Sequence, residues 1–326
     1  MAGRADVAGG VTGMRALITG VSGQDGWLLS EALLAAGASV VGATRAADLP
    51  AGHPLTGAEV VSCDVTDRHR VAEVLEQTNP EVVFHLAGQS SPLTSWVEPE
   101  ETFRINALGT VNVINAAERC APDARIIVAS SCQVLDPHSV MPLTETSPVG
   151  PVNPYGVSKL AALQVARFAR SRGQFVANAL LFNHESRYRP TSFVTAKIAA
   201  RAAAIAAGAA TTLVLGDLRV RRDWIHAGDA MAALLLMAGA ERPDDYVVAG
   251  GQGIAVADLC AAAFRAAGVE DWQQHVTSDP ALFRPEEPAL LCASPAKISL
   301  NLGWQPTTPL AVWMADMVAH HRRLLT

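Results

Sequence analysis

Tyr155 and Lys159 stand one helical turn apart and form a chemical pair. Both lie in Pro154-Tyr155-Gly156-Val157-Ser158-Lys159, which opens a helical pattern over 154–172. At that spacing the two side chains share one helix face. An ammonium beside a phenol favours the phenolate, so the pair is expected to lower the tyrosine pKa. Ser131 follows Ile126-Ile127-Val128, an apolar run that predicts a buried strand. If the strand end meets the helix, the Ser131 hydroxyl joins the pair. Such a trio can take a proton from a sugar or alcohol hydroxyl while hydride leaves the carbon.

Hydride chemistry needs a carrier, and the first half of the chain supplies a place for one. Arg15-Ala16-Leu17-Ile18-Thr19-Gly20 is a short apolar strand, followed by Val21-Ser22-Gly23-Gln24-Asp25-Gly26 and an amphipathic run over 27–36. Gly20, Gly23 and Gly26 have the spacing of a dinucleotide turn. The first permits the turn, the second lets backbone approach a pyrophosphate, and the third allows close helix packing. The helix N-terminus then offers N–H groups to the anion, with Gln24 and Asp25 beside it. Further strands are expected at 39–42, 60–63 and 82–86, with helices over 67–77 and 100–119. This alternation predicts an α/β fold, a Rossmann-type doubly wound parallel sheet. Ligands bind at the carboxyl ends of such strands, which places Asp64, Val65, Leu86, Ala87 and Gln89 at the cofactor and Ser90 near the substrate. Asp64 either reaches the adenine end or caps a turn. The second strand ends in Ala43-Thr44-Arg45 with no acid to hold a ribose hydroxyl. Arg45 can pair with a 2'-phosphate instead, which favours NADP, with NAD as the alternative.

Composition bounds the rest. The chain has 326 residues, 50% hydrophobic and 17% charged, enough for one large domain or two intimate ones. A net charge of -6 argues against a nucleic-acid surface. Five scattered cysteines make no metal-like pair and fit reduced thiols in a cytoplasm. Residues 1–13 read as a loose tail without the apolar core of a signal peptide. The alanine-rich run 199–210 contains Arg201 and is too short to span a bilayer. No membrane association is expected.

The second half reads as an anion and sugar site. A strand over 177–181 leads into Phe182-Asn183-His184-Glu185-Ser186-Arg187-Tyr188-Arg189, a polar run with no helix or strand period. Lys197 follows on a helical pattern, then Arg221-Arg222-Asp223-Trp224-Ile225-His226, and later the loop Phe283-Arg284-Pro285-Glu286-Glu287-Pro288. Arginines on separate loops suit a diphosphate, because guanidinium binds phosphate oxygens bidentately. His184, Asp223 and His226 match no compact metal-ligand spacing, and hydrogen bonding is the expected role. No metal is expected.

Together these residues resemble the extended short-chain dehydrogenase/reductase (epimerase/dehydratase) family, and within it the GDP-mannose 4,6-dehydratase branch. The resemblance rests on Ile18-Thr19-Gly20-Val21-Ser22-Gly23-Gln24-Asp25-Gly26, Leu181-Phe182-Asn183-His184-Glu185-Ser186, Phe193-Val194-Thr195-Ala196-Lys197, Arg222-Asp223-Trp224, Asp244-Asp245-Tyr246-Val247 and Phe283-Arg284-Pro285. It implies a dinucleotide-binding domain over 14–182 plus about 225–250. A smaller α/β domain over 183–224 and 251–326 would hold a nucleotide sugar. It places substrate binding on Asn183, Glu185, Lys197, Arg222, Arg284 and Glu287, and the Ser, Tyr and Lys roles on Ser131, Tyr155 and Lys159.

The chain departs from that family at Ser130-Ser131-Cys132-Gln133-Val134-Leu135-Asp136. The dehydratase glutamate is Gln133, and a carboxamide neither takes up nor releases a proton near neutral pH. Cys132 is the remaining candidate acid or base beside it. The loop after Arg45 is shorter than the one that helps build the family's tetramer. A homodimer is the expected assembly, and the apolar positions Leu160, Ala161, Leu163 and Val165 of the helix bearing Tyr155 serve either that interface or the core. Three readings stand: a 4-epimerase or 4-keto reductase acting on a nucleotide sugar, chiefly a GDP-hexose; a 4,6-dehydratase with a non-standard acid/base; and a binding protein without catalysis.

Overall fold

The first half of the chain alternates short β-branched runs with helices, and these assemble into one parallel sheet. The structure is a computed structural model that describes residues 11–45, 49–55, 60–283 and 288–325. Most of the expected tail, residues 1–10, and the substrate-binding candidates Arg284 and Glu287 lie outside the described residues. The strands are β1 (Arg15–Thr19), β2 (Ser39–Thr44), β3 (Val60–Ser62), β4 (Val82–His85), β5 (Arg125–Ala129), β6 (Val176–Leu181), β7 (Asn183–Glu185), β8 (Leu213–Leu215), β9 (Arg221–His226), β10 (Asp245–Val248), β11 (Gly253–Ala255), β12 (Val276–Ser278) and β13 (Leu290–Leu291). Seven of them form the main sheet in the order β10-β6-β5-β4-β1-β2-β3, every neighbouring pair parallel. Strands β4 and β6 are buried at every position, as expected of central strands covered on both faces.

Alternation along the strands divides the core. Ile18, Phe84, Ile127 and Ala179 lie in one core, to which α1 (Gln24–Ala35) contributes Leu29 and Leu33. Leu17, Val83, Ile126 and Val128 face the opposite layer, built from α2 (Arg68–Thr78) with Val71, Val74 and Leu75 and a later helix with Val113 and Ala117. Neighbouring strand residues point to opposite faces, so one strand feeds two cores. The expected helix over 100–119 is divided. After a separate short helix, α3 (Pro92–Val97), it runs as α4 (Pro99–Phe103), a π turn over Arg104–Leu108, and α5 (Gly109–Cys120). Helix α6 (Pro154–Ser171) begins on an Asn153 cap whose side chain accepts from Gly156 N.

After β6 the chain leaves the sheet. Residues 183–185, expected to lack a period, form β7, which pairs in parallel with β9. That strand is fixed by hydrogen bonding to a segment distant in sequence, so no local pattern announces it. Helix α7 (Val194–Ala206) follows, and α8 (Ala227–Gly239) returns to pack against α1, with β10 joining the sheet edge. Helices α7, α9 (Val256–Ala267) and α11 (Leu310–Arg323) enclose a separate core of Phe264, Trp313, Met314 and Met317. The short helix α10 (Ala296–Leu302) packs Ile298 into the core of the main sheet. The alanines of α7 supply its buried face, and no described helix is long and apolar enough to cross a membrane.

A buried polar joint ties the glycine turn to the second half. His184 Nε2 lies 3.0 and 3.1 Å from the two carboxylate oxygens of Asp25. Gln24 Nε2 donates to the His184 carbonyl at 3.1 Å, and Ser186 Oγ donates to Gln24 Oε1 at 2.9 Å. Burial works against both charges. For Asp25, burial is outweighed by His184 and the carboxyl titrates well below its usual range; for His184, burial is outweighed by Asp25 and the imidazole is raised above 6.5.

Two stability predictions follow from this packing. A Cβ on Gly26 would fall 2.4 Å from the Val21 carbonyl oxygen, against backbone that cannot swing away. Gly26→Ala should therefore cost about 3 kcal/mol in urea unfolding, and an unchanged midpoint would contradict the packing. The raised His184 contributes stability fully present below its unfolded pKa and lost as pH rises through its folded value. The Tm advantage of the native chain over His184→Gln should be larger at about pH 5.5 than at about pH 8.5; the reverse order would remove the ion pair.

Candidate active site

The carboxyl ends of β1, β2, β4, β5 and β6 border a cavity of about 640 Å³. Its floor at one end is the glycine turn. Gly20 has φ +74°, and a Cβ there would meet Ala87 backbone at 2.7 Å. Gly23 differs from Gly20 and Gly26: the nearest atom to a Cβ on it is the Gly20 carbonyl at 3.4 Å. The bare Gly23 thus leaves space on the cavity side, at the N-terminus of α1, where no side chain caps the first N–H groups. A pyrophosphate fits that cradle by charge and by room. Arg45, exposed at the end of β2, lines the same mouth.

Val65, Leu86, Ala87 and Gln89 line the adjoining wall, and Ser90 lies beyond them. Asp64 adopts the turn role: its Oδ1 accepts from Thr66 N at 2.9 Å and Thr66 Oγ1 at 2.8 Å, while the residue still faces the cavity. The Gln89 carboxamide is folded onto its own loop, donating to Ser91 O and accepting from Ser91 N.

Ser131, Tyr155 and Lys159 meet where β5 ends against α6, and all three line the cavity. Lys159 Nζ donates to the Ala129 carbonyl at 2.8 Å and lies 6.0 Å from the Tyr155 ring centre. The expectation of a lowered phenol is corrected by this geometry. Burial pushes Tyr155 up to about 12, and the Ser131 hydroxyl opposes it. The ammonium is directed at a carbonyl, and it is Lys159 that moves furthest toward neutrality: burial lowers it to about 8, against the pull of Asp25. A tyrosine so placed is a proton donor until a substrate oxygen and a nearby cation share its charge.

The supporting residues were not legible as site residues. Asn106 is buried in the π turn. Its Oδ1 accepts from Gln89 N at 2.8 Å, and its Nδ2 reaches Gln89 O and Ser158 Oγ at 3.0 Å each. Gly88 keeps this contact open, since a Cβ there would sit 3.0 Å from Asn106 Oδ1 and 3.3 Å from Lys159 Nζ. Arg189 lines the cavity with its guanidinium donating to Glu185 Oε2 at 2.9 Å and His184 O at 2.8 Å, 4.4 Å from the centre of the Phe193 ring. In sequence both look like ordinary polar residues of a helix and a loop.

The remaining predicted residues divide. Cys132 and Gln133 line the cavity next to Ser131. Burial pushes the Cys132 thiol up to about 12, so it stays protonated in the neutral range. Asn183 lines the cavity, whereas Glu185 spends its carboxylate on Arg189 and on Thr195 Oγ1 at 2.6 Å. Lys197 and Arg222 stand outside the lining: Lys197 Nζ donates to Val214 O, and Arg222 Nη1 donates to Arg221 O and Pro288 O. Asp223 is buried beneath them and accepts from Gly250 N and Gly251 N. Burial raises it to about 6 against those bonds.

Known proteins resemble this chain in sequence and in fold. A family model described as GDP-mannose 4,6 dehydratase matches residues 17–317. GDP-mannose 4,6-dehydratase sdnI of Sordaria araneosa is 34% identical over 93% of this chain, which spans 60% of that protein's length. GDP-mannose 4,6 dehydratase 2 of Caenorhabditis elegans is 31% identical over 93% of this chain and 88% of its own. The structure of RMD from Pseudomonas aeruginosa complexed with NADPH superposes with a TM-score of 0.82 at 26% identity, covering 95% of this chain and 99% of that one. The matched span runs from the glycine turn through the cavity into the last helix, and on it the chain belongs to the GDP-mannose 4,6-dehydratase family of short-chain dehydrogenase/reductase-type enzymes.

Proposed function

We propose that this protein uses NADP to exchange hydride at C4 of a GDP-hexose, as a 4-epimerase or a 4-keto reductase, without eliminating water. The observation that carries the reading is the contrast within one cavity. Ser131, Tyr155 and Lys159 are assembled for oxidation and reduction, while residue 133 is a carboxamide and the adjoining thiol is held neutral. Elimination needs a group that removes the proton from C5 and passes one to the leaving water. Neither Gln133 nor Cys132 has a pKa that allows this near neutrality.

The dinucleotide, when bound, supplies hydride exchange with the sugar carbon. Gly23 and the α1 N-terminus would hold its pyrophosphate, and Arg45 its 2'-phosphate. RMD carries NADPH and the equally similar Thermus thermophilus UDP-glucose 4-epimerase carries NAD, so the choice of NADP rests on Arg45. Tyr155 gives or takes the proton on the C4 oxygen, Ser131 hydrogen-bonds the same oxygen, and Lys159 stabilises developing phenolate charge. Asn183 faces the sugar diphosphate. Lys197, Arg222, Arg284 and Glu287 are assigned to the nucleotide end on the family resemblance, and Arg222 donates to the Pro288 carbonyl. Guanine as the base is supported by the names of the relatives. Those same names favour a second reading, a 4,6-dehydratase in which some other group replaces the glutamate. The unpaired cysteines fit a reducing, cytoplasmic compartment.

A homodimer accompanies this reading. Leu163 is fully buried and belongs to the core, but Val157 and Phe168 of α6 are 44% and 68% exposed. Leu93, Trp96 and Val97 of α3 are exposed as well, and α3 packs beside α6. Apolar side chains concentrated on two adjacent helices suit burial against a second copy.

The test is incubation of the purified protein with NADPH and a GDP-4-keto sugar, and with NADP and GDP-mannose, followed by product analysis by NMR. Conversion at C4 with the C6 oxygen retained from GDP-mannose is expected, and Tyr155→Phe should lower turnover by about 10²–10⁴-fold. Full activity in that variant would refute the proton role. Light scattering should give a dimer for the native chain and a monomer for Trp96→Glu combined with Phe168→Asp; a native monomer would contradict the assembly.

A further inference from the structure

The orientation of the Gln133 carboxamide is set by hydrogen bonds that leave no freedom to exchange its oxygen and nitrogen. A backbone donor fixes the first of them. Gly156 N donates to Asn153 Oδ1 at 2.8 Å, as the first-turn cap of α6. A backbone N–H can only donate, so the Asn153 oxygen is identified and its Nδ2 is the atom facing Gln133. That Nδ2 donates to Gln133 Oε1 at 2.8 Å. The Gln133 oxygen is therefore spent on the helix cap, and Nε2 is the end left over.

The backbone of Gln133 is held just as firmly. Its N–H donates to Ser131 Oγ at 3.2 Å, and its carbonyl packs so closely on Gly156 that a Cβ there would fall 2.4 Å from it. Among the described residues, Gln133 Nε2 has no hydrogen-bond partner, and the half-buried residue lines the cavity beside Ser131. A fixed donor next to the reacting oxygen is suited to accept neither a proton nor a hydroxyl hydrogen. It is suited to hold a sugar oxygen that accepts.

We propose that Gln133, clamped by Asn153, is a specificity-determining hydrogen-bond donor to an oxygen substituent of the sugar, next to the carbon that reacts. This rests on the reading that a nucleotide sugar occupies the cavity. Gln133 is then more than a missing base: its Nε2 selects sugars that place a hydroxyl or carbonyl oxygen at that point. Asn153 acts through Gln133 and is a positioning residue.

The test compares dissociation constants for GDP-mannose and for GDP alone, by calorimetry, on the full chain with NADP present. Two variants address the donor from different sides. Gln133→Met removes it while keeping the length of the side chain. Asn153→Asp keeps a good helix cap, since one carboxylate oxygen still accepts from Gly156 N. Its other oxygen also accepts, so Gln133 must turn Nε2 toward it and present Oε1 to the sugar. Gln133→Met should weaken GDP-mannose binding by about three- to tenfold, the effect of one neutral hydrogen bond; Asn153→Asp should weaken it less, since a sugar hydroxyl can turn to donate to Oε1; neither should change GDP binding. Equal weakening of GDP and GDP-mannose would reduce Gln133 to a structural residue and overturn the proposal. Tighter GDP-mannose binding in Asn153→Asp would overturn the proposed donor, since Oε1 would then be the preferred partner. A native chain that binds GDP but gains nothing from the sugar would overturn the donor, and one that binds neither would overturn the nucleotide-sugar reading beneath it.

Discussion

An ammonium buried beneath a catalytic cavity needs a partner that stays in place, and Lys159 has one in the carbonyl of Ala129. That single 2.8 Å bond joins the end of β5 to the second turn of α6. Other features of the site are arranged around it. Gly88 has no side chain because one would press on Lys159 Nζ and Asn106. The π turn brings Asn106 against Gln89 and Ser158, which fixes the loop after β4 to the helix carrying Tyr155 and Lys159. Burial lowers the lysine to about 8, and the Asp25 carboxylate opposes the shift through the cavity. The cation is thus kept charged at neutral pH in surroundings that would otherwise neutralise it.

The same constraint underlies the proposed reading, in which one cavity carries out redox chemistry without elimination. Both need a phenol, an ammonium and a hydroxyl around a sugar oxygen. Elimination needs one more proton carrier beside the neighbouring carbon. Here that position is filled by a side chain that forms strong hydrogen bonds but does not titrate, next to a thiol that burial pushes up to about 12. Asp223 is raised to about 6, a useful value for an acid or base. Its oxygens, however, are committed to the amides of Gly250 and Gly251, and it is outside the cavity lining. Glu185 lines the cavity but is neutralised by Arg189.

The parts of this account that could be read from sequence are those set by local spacing. The glycine turn after β1, the strand-helix alternation and the i, i+4 placement of Tyr155 and Lys159 are local facts, and the fold places them as expected. The strand at Asn183–Glu185 was hidden because its partner, β9, arrives much later and its residues are polar. Arg222 is expected at a diphosphate from guanidinium chemistry and Lys197 from the family resemblance; in the structure both side chains donate to backbone carbonyls. The direction of the Tyr155 shift was misjudged because proximity along a helix says nothing of burial, which outweighs the ammonium here. Asn153 and Asn106 left no sequence signal, since their importance lies in which atom faces which neighbour.

The central claim is that sugar oxidation and reduction proceed here without proton removal from C5. NMR of GDP-mannose incubated with the enzyme and NADP in deuterated water tests it most directly. The account predicts that the C5 proton is retained and that no 6-deoxy sugar forms. Rapid deuterium entry at C5 with a 4-keto-6-deoxy product would contradict it.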